Sequence, residues 1–179
     1  DPDRVYLAGS SMGGQGVWHI GTRNPSSFAA LAPQAGWTSF QHYSPFTMQK
    51  SQMFAAPDVL NVRNRVMQDS NNLYFLENLQ HLPVAITHGV EDRTVPPLHP
   101  RIFQKILKER GFIVNYRELP EQGHWWDEPH SSGGGSDAVD NEVMLDFLKQ
   151  QVRNRYPHQF NIRLFDLSIN NTFYWIRVL

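Results

Sequence analysis

Apolar and polar positions come in short blocks along this chain, and the blocks switch between strand-like and helix-like spacing. Arg4 to Ala8 predicts a short buried strand. Gly13 to about Arg23 reads as a helix that Asn24-Pro25 stops. Phe28 to Pro33 predicts the next buried strand, and Val84 to Gly89 another. Pro100 to Arg110 predicts a helix whose apolar face is Ile102, Phe103, Ile106 and Leu107, with Gly111 as its C-terminal cap. Ile113 to Leu119 alternates as a strand does. Asp137 is placed to cap a helix from about Ala138 to Gln151 that turns Val143, Met144, Phe147 and Leu148 inward. Strands alternating with helices imply a mostly parallel sheet flanked by helices on both faces.

Two segments depart from that rhythm. From Gly36 to about Leu82 runs a long excursion, rich at first in Trp37, Phe40, Tyr43, Phe46, Met48, Met53 and Phe54, and partly helical from Asp58 to Leu79. Trp37 to Phe54 is either a lid over the substrate pocket or simple core, and the lid is the expectation because long insertions in small domains are usually functional. Phe160 to Leu179 reads as a hairpin: Phe160, Ile162 and Leu164 alternate, Asn170-Asn171 signals the turn, and Thr172 to Leu179 is β-prone. Ser131 to Ser136, with three glycines, is expected to be a flexible loop.

Composition narrows the classes. At 179 residues the chain has the length of one domain, and 40% hydrophobic with 18% charged residues makes it globular rather than disordered. A net charge of −1 argues against nucleic-acid binding or a polybasic membrane role. No apolar run reaches the length of a membrane span. Without cysteine there is neither a disulfide framework nor a cysteine metal site. No His-x-x-x-His spacing is present, so no metal is expected, and no cofactor. The sequence sets no oligomeric state.

The chemistry concentrates in three places. Val5 to Gly14 reads as strand, Gly-x-Ser-x-Gly turn and helix start, the arrangement that holds a nucleophilic serine at Ser11. Gly9 and Gly13 are expected to leave room where strand and helix close on each other. The free N–H groups at the helix start favour developing negative charge, and the Met12 N–H is one half of the expected oxyanion hole. Asp92 follows the strand Val84 to Gly89 on a loop, and His124 follows the strand Ile113 to Leu119 on another, where open α/β sheets place functional groups. The order Ser11, Asp92, His124 is that of an α/β-hydrolase. Imidazole titrates near neutrality, so His124 can take the Ser11 proton and return it to a leaving group while Asp92 orients the ring. Glu91 is the nearest rival of Asp92; Asp127 and Glu128 follow the histidine too closely. Ser10 falls out of register, His88 is expected to bond within the Asp92 loop, and His19 to pack or face solvent. Trp37, Trp125 and Trp126 are candidate pocket walls.

The stretches Gly9-Ser10-Ser11-Met12-Gly13-Gly14, Ala32 to Trp37, Asn78 to Asp92, Val95-Pro96 and Gly123-His124-Trp125-Trp126 resemble the prolyl-oligopeptidase-like serine peptidases, over about residues 1 to 154. The resemblance is closest to the secreted or multidomain members with a Gly-His-Trp-Trp loop. It implies a Ser11–Asp92–His124 triad working through an acyl-enzyme on peptides, and a secreted or extracytoplasmic location. Residues 1–154 are then the C-terminal portion of an α/β-hydrolase catalytic domain, from the nucleophile strand onward. Residues 155–179 are a β-rich tail that starts a following segment. The family's fold has strands before the nucleophile strand, including the loop with the second oxyanion N–H, so a longer protein at both ends is expected and Val5 to Ala8 lies at a sheet edge. Two other functions fit the same motifs: a carboxylic-ester hydrolase such as a carboxylesterase or polyhydroxybutyrate depolymerase-like esterase, and a non-catalytic fragment of hydrolase fold.

Overall fold

Four parallel strands carry the candidate site on their C-terminal edge. The structure is a computed structural model and describes residues 1–43, 54–129 and 133–179. Strands β1 (Tyr6–Ser10), β2 (Ala30–Gln34), β3 (Val84–Gly89) and β4 (Val114–Leu119) lie side by side in sequence order, each pair parallel. Helix α1 (Met12–Arg23) crosses from β1 to β2. The excursion from β2 to β3 contains α2 (Phe40–Tyr43), α3 (Pro57–Val66) and 3-10 turns at Met67–Ser70 and Asn72–Leu79. Helix α4 (Leu98–Glu109) joins β3 to β4, and α5 (Asp137–Asp140) and α6 (Glu142–Lys149) follow. Phe46, Met48 and Met53 of the expected lid, and Ser131 and Ser132 of the expected loop, lie outside the described residues.

The two faces of the sheet are built differently. On one, Leu31, Val84 and Ile86 pack with Val17 and Trp18 of α1, Leu76 and Leu79 of the excursion, and Phe103 and Leu107 of α4. Trp18 stacks on Phe103 at 4.0 Å. On the other, the alternate positions Ala30, Ala32 and Ala85 meet Met144 and Leu148 of α6. Period-two alternation sends large side chains to one face and alanines to the other, which lets α6 approach closely. Among the described residues β1 has one strand neighbour and lies at an edge of the sheet, as expected.

Three local expectations change. The helix expected from Ala138 to Gln151 breaks at Asn141, whose ψ of 149° is extended. Asn141 accepts from Met144 N–H at 3.0 Å and donates to the Asp137 carbonyl at 3.1 Å, so it caps α6. Asparagine competes for backbone partners and therefore starts a helix more readily than it continues one. Asp137 instead accepts from the Glu128 N–H at 2.5 Å. Val143 is 47% exposed, not inward, while Met144 and Leu148 are buried.

The tail departs from expectation as well. Its hairpin is small, pairing β5 (Thr172–Phe173) with β6 (Ile176–Arg177) around Tyr174-Trp175 rather than turning at Asn170-Asn171. The Asn170 amide donates to Arg23 O and to Asn24 Oδ1, which ties the tail to the end of α1. No strand forms at Phe160 to Leu164, because the Asn78 side chain takes both backbone groups of Arg163, at 2.7 and 3.0 Å.

Candidate active site

Ser11 sits at the junction of β1 and α1 with φ 58° and ψ −118°, a conformation that side chains other than glycine's adopt at a cost of about 1–3 kcal/mol. Its surroundings over-determine that geometry. The Ser11 N–H donates to the Gln34 carbonyl at 3.1 Å, and its carbonyl accepts from Gln15 N–H at 3.0 Å as α1 begins. A Cβ on Gly9 would fall 2.7 Å from the Gly13 carbonyl group, and one on Gly14 would fall 2.3 Å from Gln34 O. At Gly13 an added Cβ meets nothing within 4 Å. The expected role of Gly13 is therefore corrected: its backbone is what Gly9 must clear, and Gly14 is the second position that tolerates no side chain. The Met12 N–H opens α1 and so has no acceptor one turn earlier in the helix.

Asp92 lies on the loop after β3 and is 3% exposed. Its Oδ1 accepts from the N–H groups of Thr94 at 2.9 Å and Val95 at 2.8 Å. Its Oδ2 lies 2.7 Å from His124 Nδ1 and 3.2 Å from His88 Nε2. Burial pushes the Asp92 pKa up, and the hydrogen bonds from His88, His124 and Val95 N–H outweigh that and bring it down to about 2. His88, expected to bond within this loop, does so: Nε2 donates to Val95 O at 2.8 Å. Both groups facing that nitrogen are acceptors, so it carries the hydrogen.

His124 follows β4 on a loop packed directly against the Asp92 loop. A Cβ on Gly89 would stand 2.1 Å from Gly123 O, and Glu91 N–H donates to Gln122 O at 2.9 Å. His124 donates from Nδ1 to Asp92, which leaves Nε2 to accept from Ser11 Oγ at 2.9 Å. The three residues thus form one hydrogen-bonded line. Their rivals are engaged elsewhere or lack a partner. Glu91 is exposed, Asp127 Oδ2 accepts from Gly135 N–H, Glu128 pairs with Arg117, and Ser10 Oγ is buried without a partner among the described residues. Among the described residues no group of three or more histidines and carboxylates is arranged to hold a metal ion.

A cavity of about 590 Å³ opens beside Ser11. Trp37 lines it, stacked on Tyr43 at 4.3 Å and edge-on to Phe40 at 5.7 Å. Trp126 does not: it is 5% exposed and packs with Leu119 and Ala138, so its expected place on the pocket wall is corrected. Trp125 stands edge-on to the His124 ring at 5.2 Å, is 56% exposed and is no part of the cavity lining. Sequence reasoning missed Gln15 and His19, which line the cavity. Their signal was present, since Ser11, Gln15 and His19 recur every fourth residue and so share one face of α1.

The aromatic wall is anchored to the Asp92 side of the sheet through His99. That residue is 5% exposed, and its Nδ1 accepts from the Thr38 N–H at 3.3 Å. Burial, with His42 and His88 nearby, brings its pKa from 6.5 down to about 4. The unfolded chain then binds more protons between those values, so folding stability falls as pH drops from about 6.5 to about 4 and levels off below. The loss is expected to reach up to about 3 kcal/mol. Urea unfolding at pH 7 and pH 4.5 measures it. His99→Gln keeps an acceptor for Thr38 without the titration and should lose less over that interval; equal losses would remove His99 as the cause.

Strand order, helices on both faces and the strand–turn–helix around Ser11 define an α/β-hydrolase fold. The chain belongs to the prolyl oligopeptidase family, whose model matches residues 1–155. A curated protein of Arthroderma benhamiae, named an uncharacterized secreted protein, is 33% identical over 163 residues, 88% of this chain and 16% of that protein. The acylaminoacyl peptidase of Pyrococcus horikoshii shares the fold with a TM-score of 0.63 at 17% identity, over 94% of this chain and 26% of its own. A thermostable esterase aligns with a TM-score of 0.57 at 26% identity, over 86% of this chain and 32% of its own. The chain therefore spans about a sixth of the curated relative's length and about a quarter to a third of these solved chains.

Proposed function

We propose that this chain carries the catalytic triad of a serine hydrolase, with Ser11 as nucleophile, His124 as base and Asp92 as the acid that orients it, and that the reaction is peptide-bond cleavage of the prolyl-oligopeptidase type. The observation that carries the reading is the hydrogen-bonded line from Asp92 through His124 to Ser11, at 2.7 and 2.9 Å. His124 Nε2 takes the proton as Ser11 Oγ attacks the substrate carbonyl carbon. The carbonyl oxygen becomes an oxyanion that accepts from the Met12 N–H. Asp92, held ionised, stabilises the imidazolium. His124 then protonates the leaving amine, the C–N bond breaks, and an ester on Ser11 remains. Water, deprotonated by His124, hydrolyses that ester and restores the serine. An extracytoplasmic location is proposed with it, since the relative from Arthroderma benhamiae is named a secreted protein.

A second reading, ester hydrolysis, is favoured by the likeness to the thermostable esterase, the more similar in sequence of the two solved structures. It uses the same groups with an alcohol leaving. Two measurements test the pair. A fluorophosphonate should give one adduct by intact mass, mapped to Ser11; no adduct would count against an activated serine. Turnover of both a p-nitrophenyl ester and a proline-containing peptide anilide is expected, and ester turnover without amide cleavage would leave the esterase reading.

A further inference from the structure

A buried guanidinium sets the polarity of an amide relay that ends in the cavity beside Ser11. Arg23 is 4% exposed, lies 4.0 Å over the Phe75 ring and pairs with Asp69. Its Nη1 donates to Asn72 Oδ1 at 3.1 Å, and Asn72 Nδ2 donates to Gln15 Oε1 at 3.0 Å. A side-chain amide alone can be turned either way, but a guanidinium has hydrogens and no acceptor. Asn72 must therefore meet Arg23 with its oxygen. Its nitrogen is left for Gln15, which must answer with its oxygen. Reversing either amide would set donor against donor in a buried place: Asn72 is 0% and Gln15 8% exposed. The Gln15 Nε2 hydrogens have no partner among the described residues, and Gln15 lines the cavity.

The rest of the cavity is mainly apolar and, apart from His19, carries no acidic or basic side chain among the described residues. Met12, Ile20, Trp37 and Phe40 line it, and no carboxylate, ammonium or guanidinium does among the described residues. The His19 ring in its wall is held below its ordinary pKa by burial and by Arg23, with Asp69 opposing, which favours the neutral imidazole. Gln15 thus sets a donor of fixed polarity in a mainly hydrocarbon and aromatic wall, which also holds Trp37, whose Nε1–H is buried without a partner among the described residues, and the hydroxyl residues Ser11, Tyr43 and Ser70. A purely hydrocarbon group bound there would strip water from that donor and return nothing, whereas a group with an oxygen acceptor would satisfy it.

We propose that Gln15 is a specificity-determining residue: its Nε2–H donates to an acceptor oxygen on the substrate group that fills the aromatic cavity, so that the site selects an uncharged, flat apolar group bearing a carbonyl or ether oxygen. The inference rests on the serine-hydrolase reading only in that the cavity opens onto Ser11. Two p-nitrophenyl esters of the full chain's proposed chemistry test it, with 3-(4-acetylphenyl)propanoyl and 3-(4-isopropylphenyl)propanoyl groups, alike in shape and unlike in acceptor. The acetyl ester should be preferred about tenfold in kcat/KM, and Gln15→Met, close in size without the donor, should bring the ratio within about twofold. A parallel arm needs no turnover: saturation-transfer NMR titrations of acetophenone and cumene against the Ser11→Ala protein, with and without Gln15→Met. Acetophenone should bind more tightly, and the margin should vanish in the double variant. A ratio near one in the parent protein, or one that survives Gln15→Met, overturns the proposal. If neither ester is hydrolysed, the hydrolase reading fails and the binding arm alone decides Gln15. Thermal melts of each variant separate lost preference from lost fold.

Discussion

Replacing Ser11 with alanine is expected to lower kcat on any ester or amide substrate about a millionfold and to leave the fold in place. The two parts of that expectation have separate causes. The Ser11 side chain has one partner among the described residues, His124 Nε2, and that bond supports the proposed chemistry rather than the fold. What the turn needs from this residue is backbone: its N–H to Gln34 O and its carbonyl to Gln15 N–H. Alanine keeps both. A second variant sharpens the argument, because φ 58° with ψ −118° is a glycine-favoured conformation. Ser11→Gly should be as inactive as Ser11→Ala yet more stable than it by about 1 kcal/mol, since relief of strain exceeds the added entropy of the unfolded chain. Esterase assays and thermal melts of the three proteins provide the check. Retention of more than a thousandth of the activity in both variants would remove Ser11 as nucleophile. A stability order with glycine below alanine would mean that the turn holds no strain.

The parts of this site legible in the sequence are those in which one residue type at one spacing has few explanations. Gly9, Ser11 and the flanking apolar strand announce a strand–turn–helix, and loops after two further strands carry Asp92 and His124. Features that depend on which atoms face each other across the fold were not legible. Gly13 and Gly14 are indistinguishable as letters, and only the approach of Gln34 and Gly36 makes Gly14 the constrained one. Trp125 and Trp126 are neighbours with opposite surroundings, because the inward place over Leu119 and Ala138 admits one of them. The break at Asn141 was readable in principle, since asparagine with Met144 three residues on is a capping arrangement, but the apolar spacing of Met144 and Leu148 also suits a continuous helix. Gln15 lay in plain view at helical spacing from Ser11. What gives it direction is Arg23, two turns further on, and Asn72, which sits in an excursion whose path no periodicity specifies.

Asp92→Asn is expected to cost about 10⁴ in kcat with little change in KM, although it alters no shape. Every group facing this carboxylate is a donor. Thr94 and Val95 N–H hold Oδ1, and His124 Nδ1–H with His88 Nε2–H faces Oδ2. An asparagine has one oxygen to offer, and the two backbone N–H groups cannot reverse, so the oxygen goes to them. The amide nitrogen then faces His124 Nδ1, which must become an acceptor. The hydrogen moves to Nε2, where it points at Ser11 Oγ, and the ring can no longer take the serine's proton. His88 keeps its Nε2–H bond to Val95 O but now has an amide donor where the Asp92 carboxylate stood. Some loss of stability should therefore accompany the loss of rate. Fluorophosphonate labelling should slow in parallel with ester turnover, because both need the same proton transfer. Glu91→Gln, one residue away on an exposed side chain, is the control and should change the rate less than about twofold. A full loss at Glu91 with little at Asp92 would assign the acid to the neighbour and break the line from Asp92 through His124 to Ser11.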